Sequence, residues 1–287
     1  MVNREDLTPL EVAFSPSCFP DDPKLNPDQV IERFVKALED SLREIRDSAL
    51  EREEDVAYEE DGGGQRVDFW GPTQTAKRVF IALHGGYWQE GDRKYFTTMV
   101  KPLVENGVTV AVVGYDLATQ KPLRSVIEQV KKAITFIAGF CPHATFAIGG
   151  HSAGAHLAAL AASEMSADDR LTDLILICGI YKLEELVDTY IGQPIRLTQE
   201  TAVSCGLDNE KLLARFGNKS ITFLNSEFDA EKLKAQNAEL EAFLRKSGAR
   251  KVDSVEVKGV DHFSIIEKLR DQNHFACKSL LAAVLRE

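Results

Sequence analysis

The feature that most constrains this chain is a change of rhythm after Gly62-Gly63-Gly64. From there, short apolar runs alternate with segments of helical spacing. The runs are RVDFW (66–70), KRVFIAL (77–83), VTVAVVGYD (108–116), TFAIGG (145–150), DLILICGIY (173–181), SITFLNS (220–226) and DSVEVKG (253–259). Stretches such as VAVV and ILIC lack the polar alternation of a half-solvated strand. They predict strands buried on both faces, as in a parallel sheet covered by helices. Between them, 123–140 sets Val126, Ile127, Val130, Ile134 and Ile137 on one face. The stretch 153–163 is small and apolar, and 231–246 and 274–286 complete the helical set. This alternation predicts one α/β domain over 1–287, with a doubly wound, mostly parallel sheet and flanking helices. Ligands of such sheets gather outside the carboxyl ends of the strands, so site residues should directly follow strands.

Ahead of the sheet, 1–60 reads as an N-terminal extension and helix. Residues 1–25, rich in Pro and Asp, are expected on the surface. Asn26, Pro27 and Gln29 have the chemistry of an N-cap, a first helical position and a reciprocal capping partner. Val30, Phe34, Ala37, Leu38, Leu42 and Ile45 then recur at helical spacing, predicting an amphipathic helix over 27–50. The acidic stretch 51–61 is expected to be solvated surface or loop. The span 182–219 has few strand signals and reads as an inserted helical lid segment.

With 44% hydrophobic and 28% charged residues, the chain has the balance of a globular protein. A net charge of −11 with no basic run argues against nucleic acid or an anionic membrane as partner. No apolar run approaches the ~20 residues that span a bilayer. The opening residues MVNREDLTPLEV hold no apolar signal core. The five widely spaced cysteines form no C-x-x-C pair, so neither a disulfide framework nor a zinc site is expected. A reducing compartment fits this usage. The oligomeric state is left open, a homodimer included.

The chemistry is carried by Gly150-His151-Ser152-Ala153-Gly154, which matches G-x-S-x-G between a predicted strand and a predicted helix. A nucleophile on so tight a turn protrudes, and the glycines remove Cβ atoms that would collide. His84-Gly85-Gly86-Tyr87-Trp88 follows an earlier strand, where a loop can turn backbone N–H groups toward a developing oxyanion. The N–H groups of Gly86, Tyr87 and Ala153 are the candidate donors, with His84 and Gly85 shaping the loop. A base and an orienting acid must follow the serine in the order acid, then His. His262 comes just past the last strand. Asp229 comes just past the preceding one, with Glu227 the next-best acid. Asp261 is too close in sequence to His262 to reach its Nδ1. His156 reads as packed or hydrogen-bonded, and His143 and His274 as non-catalytic positions. Ser152, His262 and Asp229 together describe a serine hydrolase acting on an ester or amide.

HGGYW, GHSAGAH, the acid in SEFDAEKLKAQN and DHFSIIE together resemble the kynurenine formamidases (arylformamidases) of the α/β-hydrolase superfamily. The likeness runs from about residue 28 to the end and includes CGIYKLEEL. Related lipases and esterases usually carry a third glycine where Tyr87 stands. The resemblance implies cleavage of N-formyl-L-kynurenine to L-kynurenine and formate in tryptophan breakdown. It implies a cytosolic enzyme with no metal and no organic cofactor. Members often have a Ser-Pro pair in the lid where this chain reads Ser204-Cys205-Gly206. A formyl group needs almost no acyl pocket, whereas an aromatic formamide substrate needs a flat apolar wall, for which Tyr87 and Trp88 are candidates. Two other readings stay open: a carboxylesterase of small acyl or aryl esters, and a non-catalytic, ligand-binding relative.

Overall fold

In a computed structural model, which describes residues 4–60, 63–166 and 168–286, the seven predicted strands and one further strand assemble into one eight-stranded sheet. The strands are β1 (Arg52–Ala57), β2 (Arg66–Trp70), β3 (Arg78–Leu83), β4 (Thr109–Val113), β5 (Thr145–His151), β6 (Leu171–Ile177), β7 (Ser220–Phe228) and β8 (Lys251–Asp261), in the order β1-β2-β4-β3-β5-β6-β7-β8. β2 runs antiparallel to both β1 and β4, and every pairing from β4 to β8 is parallel. This is the α/β-hydrolase architecture that the resemblance implies. Asp61 and Gly62, from the acidic run and the glycine turn, lie outside the described residues.

The helices are α1 (Pro9–Ala13), α2 (Pro27–Asp47), α3 (Val100–Glu105), α4 (Leu123–Phe140), α5 (Ala153–Glu164), α6 (Gln199–Cys205), α7 (Asn209–Phe216), α8 (Glu231–Lys246), α9 (Ser264–Glu267) and α10 (Phe275–Val284). They form two layers. Val126, Val130, Leu157, Leu160, Leu240 and Leu244, from α4, α5 and α8, bury one face of the sheet. Ile45, Leu103, Ile265 and Leu280, from α2, α3, α9 and α10, bury the other. Covering both faces is why the central strands are predominantly apolar.

The N-cap expectation holds in detail. Asn26 Oδ1 accepts from Gln29 N–H at 2.9 Å, and Gln29 Oε1 accepts from Asn26 N–H at 3.0 Å. α2 stops at Asp47, three residues short of the predicted end. The acidic stretch departs further: residues 52–57 form β1, not loop. β1 is an edge strand with a mostly solvated surface, so it needs no apolar run. Its charges are used instead, with Arg46 and Lys94 bonding Glu54, and such charges keep an open edge from pairing with another chain. The span 182–219 contains the short helices α6 and α7 joined by turns, but Leu186, Ile191, Ala202, Cys205, Leu212 and Phe216 are buried in the core. Among the described residues, no helix is long and apolar enough to cross a membrane.

Candidate active site

Five strands end at residues of the site, four of them where the sequence placed candidates. β3 is followed by His84, β5 by Ser152, β6 by Cys178, β7 by Asp229 and β8 by His262. Parallel pairing brings all five to the carboxyl edge of the sheet.

Ser152 has φ 56° and ψ −119°, which L side chains rarely adopt. Its N–H donates to Ile177 O at 2.8 Å, holding the elbow to β6. The glycine at 154 is obligatory, because a Cβ there would lie 2.2 Å from Leu83 O. This absence of side chain lets α5, buried along its length from Ala153 to Ala162, press against β3 and β5. The hydroxyl of Ser152 makes no hydrogen bond among the described residues.

The loop after β3 is more contorted than its two glycines suggest. Gly86, Tyr87 and Trp88 lie successively in the left-handed region, with φ of 107°, 47° and 62°. Gly86 O accepts from Gln89 and Glu90 N–H and closes the turn. Gly85 lies directly against the elbow: a Cβ there would sit 2.8 Å from His151 O and 3.1 Å from Ser152 Cβ. Among the described residues, the N–H groups of Gly86, Tyr87 and Ala153 have no hydrogen-bond acceptor. The His84 ring stacks on Tyr115 at 4.3 Å, and the Tyr115 hydroxyl donates to His84 O at 2.7 Å. Burial depresses the His84 pKa to about 4, so this ring is a neutral brace for the loop.

Trp88 corrects an expectation. It is fully buried, edge-on to His156 at 5.1 Å, so its indole belongs to the core and offers no wall to a substrate. Tyr87 is half-buried and its hydroxyl donates to Phe14 O at 2.6 Å. His156 is packed and bonded as expected, its Nε2 meeting Cys205 O at 2.7 Å.

His262 Nδ1 and Asp229 Oδ2 are 2.9 Å apart, both side chains buried. Asp229 also accepts from Ala230 N–H at 2.7 Å and from the Ser226 hydroxyl at 3.2 Å. Glu227 points elsewhere, to Gly259 N–H at 2.8 Å. Between Asp229 and Glu227, the structure therefore brings Asp229 to the imidazole. The His262 ring lies 4.4 Å from the ring of His151, the residue before Ser152.

Two contributors were invisible in the sequence. Ser226, inside β7, carries no motif, and Cys178 read only as a strand residue. The Cys178 Sγ sits 3.3 Å from Ser226 Oγ, so a chain of hydrogen bonds runs from thiol to hydroxyl to Asp229. Cys178 Sγ, an Asp229 oxygen and a His262 nitrogen lie within 4.8 Å of one another, a spacing that suits a metal ion. Burial raises the Cys178 pKa well above its usual value. These three groups serve here as hydrogen-bond partners.

Comparison with known proteins identifies the family. The BD-FAE family model matches residues 67–204. Kynurenine formamidase of Danio rerio is 31% identical over 284 residues, covering 96% of this chain and 95% of that protein. Kynurenine formamidase of Salmo salar is 32% identical, covering 95% and 94%. The chain belongs to the kynurenine formamidase family. Among solved structures, phosphonate-inhibited esterase B of Lactobacillus rhamnosis superposes with a TM-score of 0.68 at 15% identity, covering 90% of this chain and 94% of that one, a likeness of fold. In this family setting the strand-edge cluster of Ser152, His262 and Asp229 is the candidate active site.

Proposed function

We propose that this protein hydrolyses N-formyl-L-kynurenine to L-kynurenine and formate, with Ser152 as nucleophile, His262 as base and Asp229 as orienting acid. The observation that carries the reading is the buried His262–Asp229 bond beside the Ser152 elbow, in a chain of this family. Asp229 holds the proton on His262 Nδ1, leaving Nε2 free to accept. His262 takes the Ser152 proton as Oγ attacks the formyl carbon. The oxyanion that forms is met by the N–H groups of Gly86, Tyr87 and Ala153. Collapse breaks the C–N bond, and His262 passes its proton to the departing anilide nitrogen. Water then attacks the formyl-serine, giving its proton to His262, and formate leaves as Ser152 is re-protonated.

The shape suits a formyl donor. We read the close approach of Gly85 to Ser152 and the coiled Gly86–Trp88 loop as bounding a small acyl side, and half-buried Tyr87 as apolar surface for an aromatic group. The segment 182–219 is tied across the loop, with Gln89 Nε2 donating to Ile191 O at 2.5 Å. We read it as the cover of the site.

Steady-state turnover of N-formylkynurenine beside p-nitrophenyl acetate tests the substrate. The formamide should be the far better substrate at equal concentration. The opposite ranking assigns a carboxylesterase and leaves the nucleophile standing. A wild-type chain unreactive toward a fluorophosphonate probe would instead describe a ligand-binding relative.

A further inference from the structure

Arg33, on α2 and remote in sequence from every strand end, reaches three carboxylates. Its Nη1 donates to Asp21 at 2.7 Å, its Nη2 to Asp261 at 2.8 Å and its Nε to Glu267 at 3.0 Å. Asp261 immediately precedes His262, and its side chain is fully buried. Its carboxylate also accepts from the N–H groups of Asp21 at 3.1 Å, Phe263 at 2.9 Å and Ser264 at 2.7 Å. The next residue on α2, Phe34, packs its ring against Phe263 at 5.2 Å and His151 at 6.5 Å. The N-terminal segment therefore grips the chain on both sides of His262.

The same segment touches two further walls. Phe14 O accepts from the Tyr87 hydroxyl, Ser15 Oγ pairs with the Tyr190 hydroxyl at 2.7 Å, and Glu11 accepts from Tyr190 N–H at 2.9 Å. A loop that needed only to turn would be served by the Asp261 bonds to Phe263 and Ser264. Adding a forked cation from another element fixes where the loop sits relative to the body. A buried carboxylate that loses its cation partner is also left strongly unfavourable.

Resting on the triad reading above, we propose that Arg33 is a positioning residue for catalysis: through Asp261 it holds the backbone at 261–263 so that the His262 imidazole stays between Asp229 and Ser152. Placement to within an ångström matters in such a site, because a displacement of that size can lower turnover about 10²-fold.

The test uses the full chain carrying Arg33→Ala, with kcat and KM on N-formylkynurenine. The expected result is a fall in kcat of roughly 10- to 100-fold with KM little changed, because substrate contacts are untouched. Millimolar guanidinium should restore much of the lost kcat and leave wild type unaffected, a rescue that general destabilisation would not show. Arg33→Lys is the second variant in case the alanine protein does not fold. A lysine ammonium cannot span three carboxylates as a planar fork does, so kcat should fall about tenfold. Wild-type kcat in either folded variant, or an Arg33→Ala loss that guanidinium does not restore, overturns the proposal. Failure of the underlying reading looks different: the wild-type chain itself would neither turn over the formamide nor label with a fluorophosphonate.

Discussion

His151 Nε2 lies 2.8 Å from the backbone carbonyl of His262, so the residue before the nucleophile holds the main chain of the base. Burial pushes the His151 pKa well below its usual value, and the neutral ring donates through Nε2. The elbow thus carries both the hydroxyl and a hydrogen bond that fixes where its partner stands. His151→Ala should lower kcat by about fivefold or more, the rate equivalent of one neutral hydrogen bond of ~1 kcal/mol. An unchanged kcat would mean that other contacts hold His262.

Ser152 stores backbone strain without using its side chain for stability, since it forms no side-chain cap bond to α5. Ser152→Ala should abolish turnover, a loss on the order of 10⁶. Ser152→Gly should do the same while raising Tm by about 2 °C or more, because glycine relieves strain of about 1–3 kcal/mol. Calorimetry of the two inactive proteins makes the comparison. An equal Tm for both would remove strain from the account.

Asp229→Asn and Glu227→Gln separate the two carboxylates. The first should reduce kcat by about 10⁴, because an amide at the imidazole favours the wrong tautomer. The second should leave kcat near wild type, since Glu227 faces Gly259 and Lys258. Inverted effects would reassign the acid.

Gly85→Ala should cost both turnover and stability, as its Cβ would meet His151 O at 2.8 Å and crowd Ser152 Cβ at 3.1 Å. Displacing the serine or the loop is the only relief. Kinetics and thermal unfolding of the purified variant check this, and normal kcat would show that the loop yields easily.

Stability should fall on mild acidification. Burial lowers the pKa of His84 and of His156 to about 4, from a usual value of 6.5. Between those values the unfolded chain binds protons that the folded chain refuses, so folding stability rises with pH there. The contribution is complete above pH 6.5 and is lost as pH falls toward 4. Tm measured from pH 7.5 to 4.5 should decline on the acid side, and less steeply in His156→Gln. A Tm that held level would contradict the buried neutral rings.

The periodicity of the chain determined the alternation of strands and helices, because strands buried on both faces must be predominantly apolar. The Ser152 elbow was legible for a local reason: a strand, a tight turn and a helix need glycines at fixed spacing. β1 escaped notice because an edge strand with a mostly solvated surface carries charge where a buried strand carries Val and Ile. The burial of Trp88 was equally hidden, since a tryptophan after two glycines serves a core as well as a pocket. Tertiary structure alone brought Asp229 to His262 and turned Glu227 away. It also set Ser226 and Cys178 behind the acid and joined Arg33 to Asp261. Those choices depend on which strand ends lie side by side and on how the N-terminal helix docks, and such distances are set only when the sheet and its two helical layers pack.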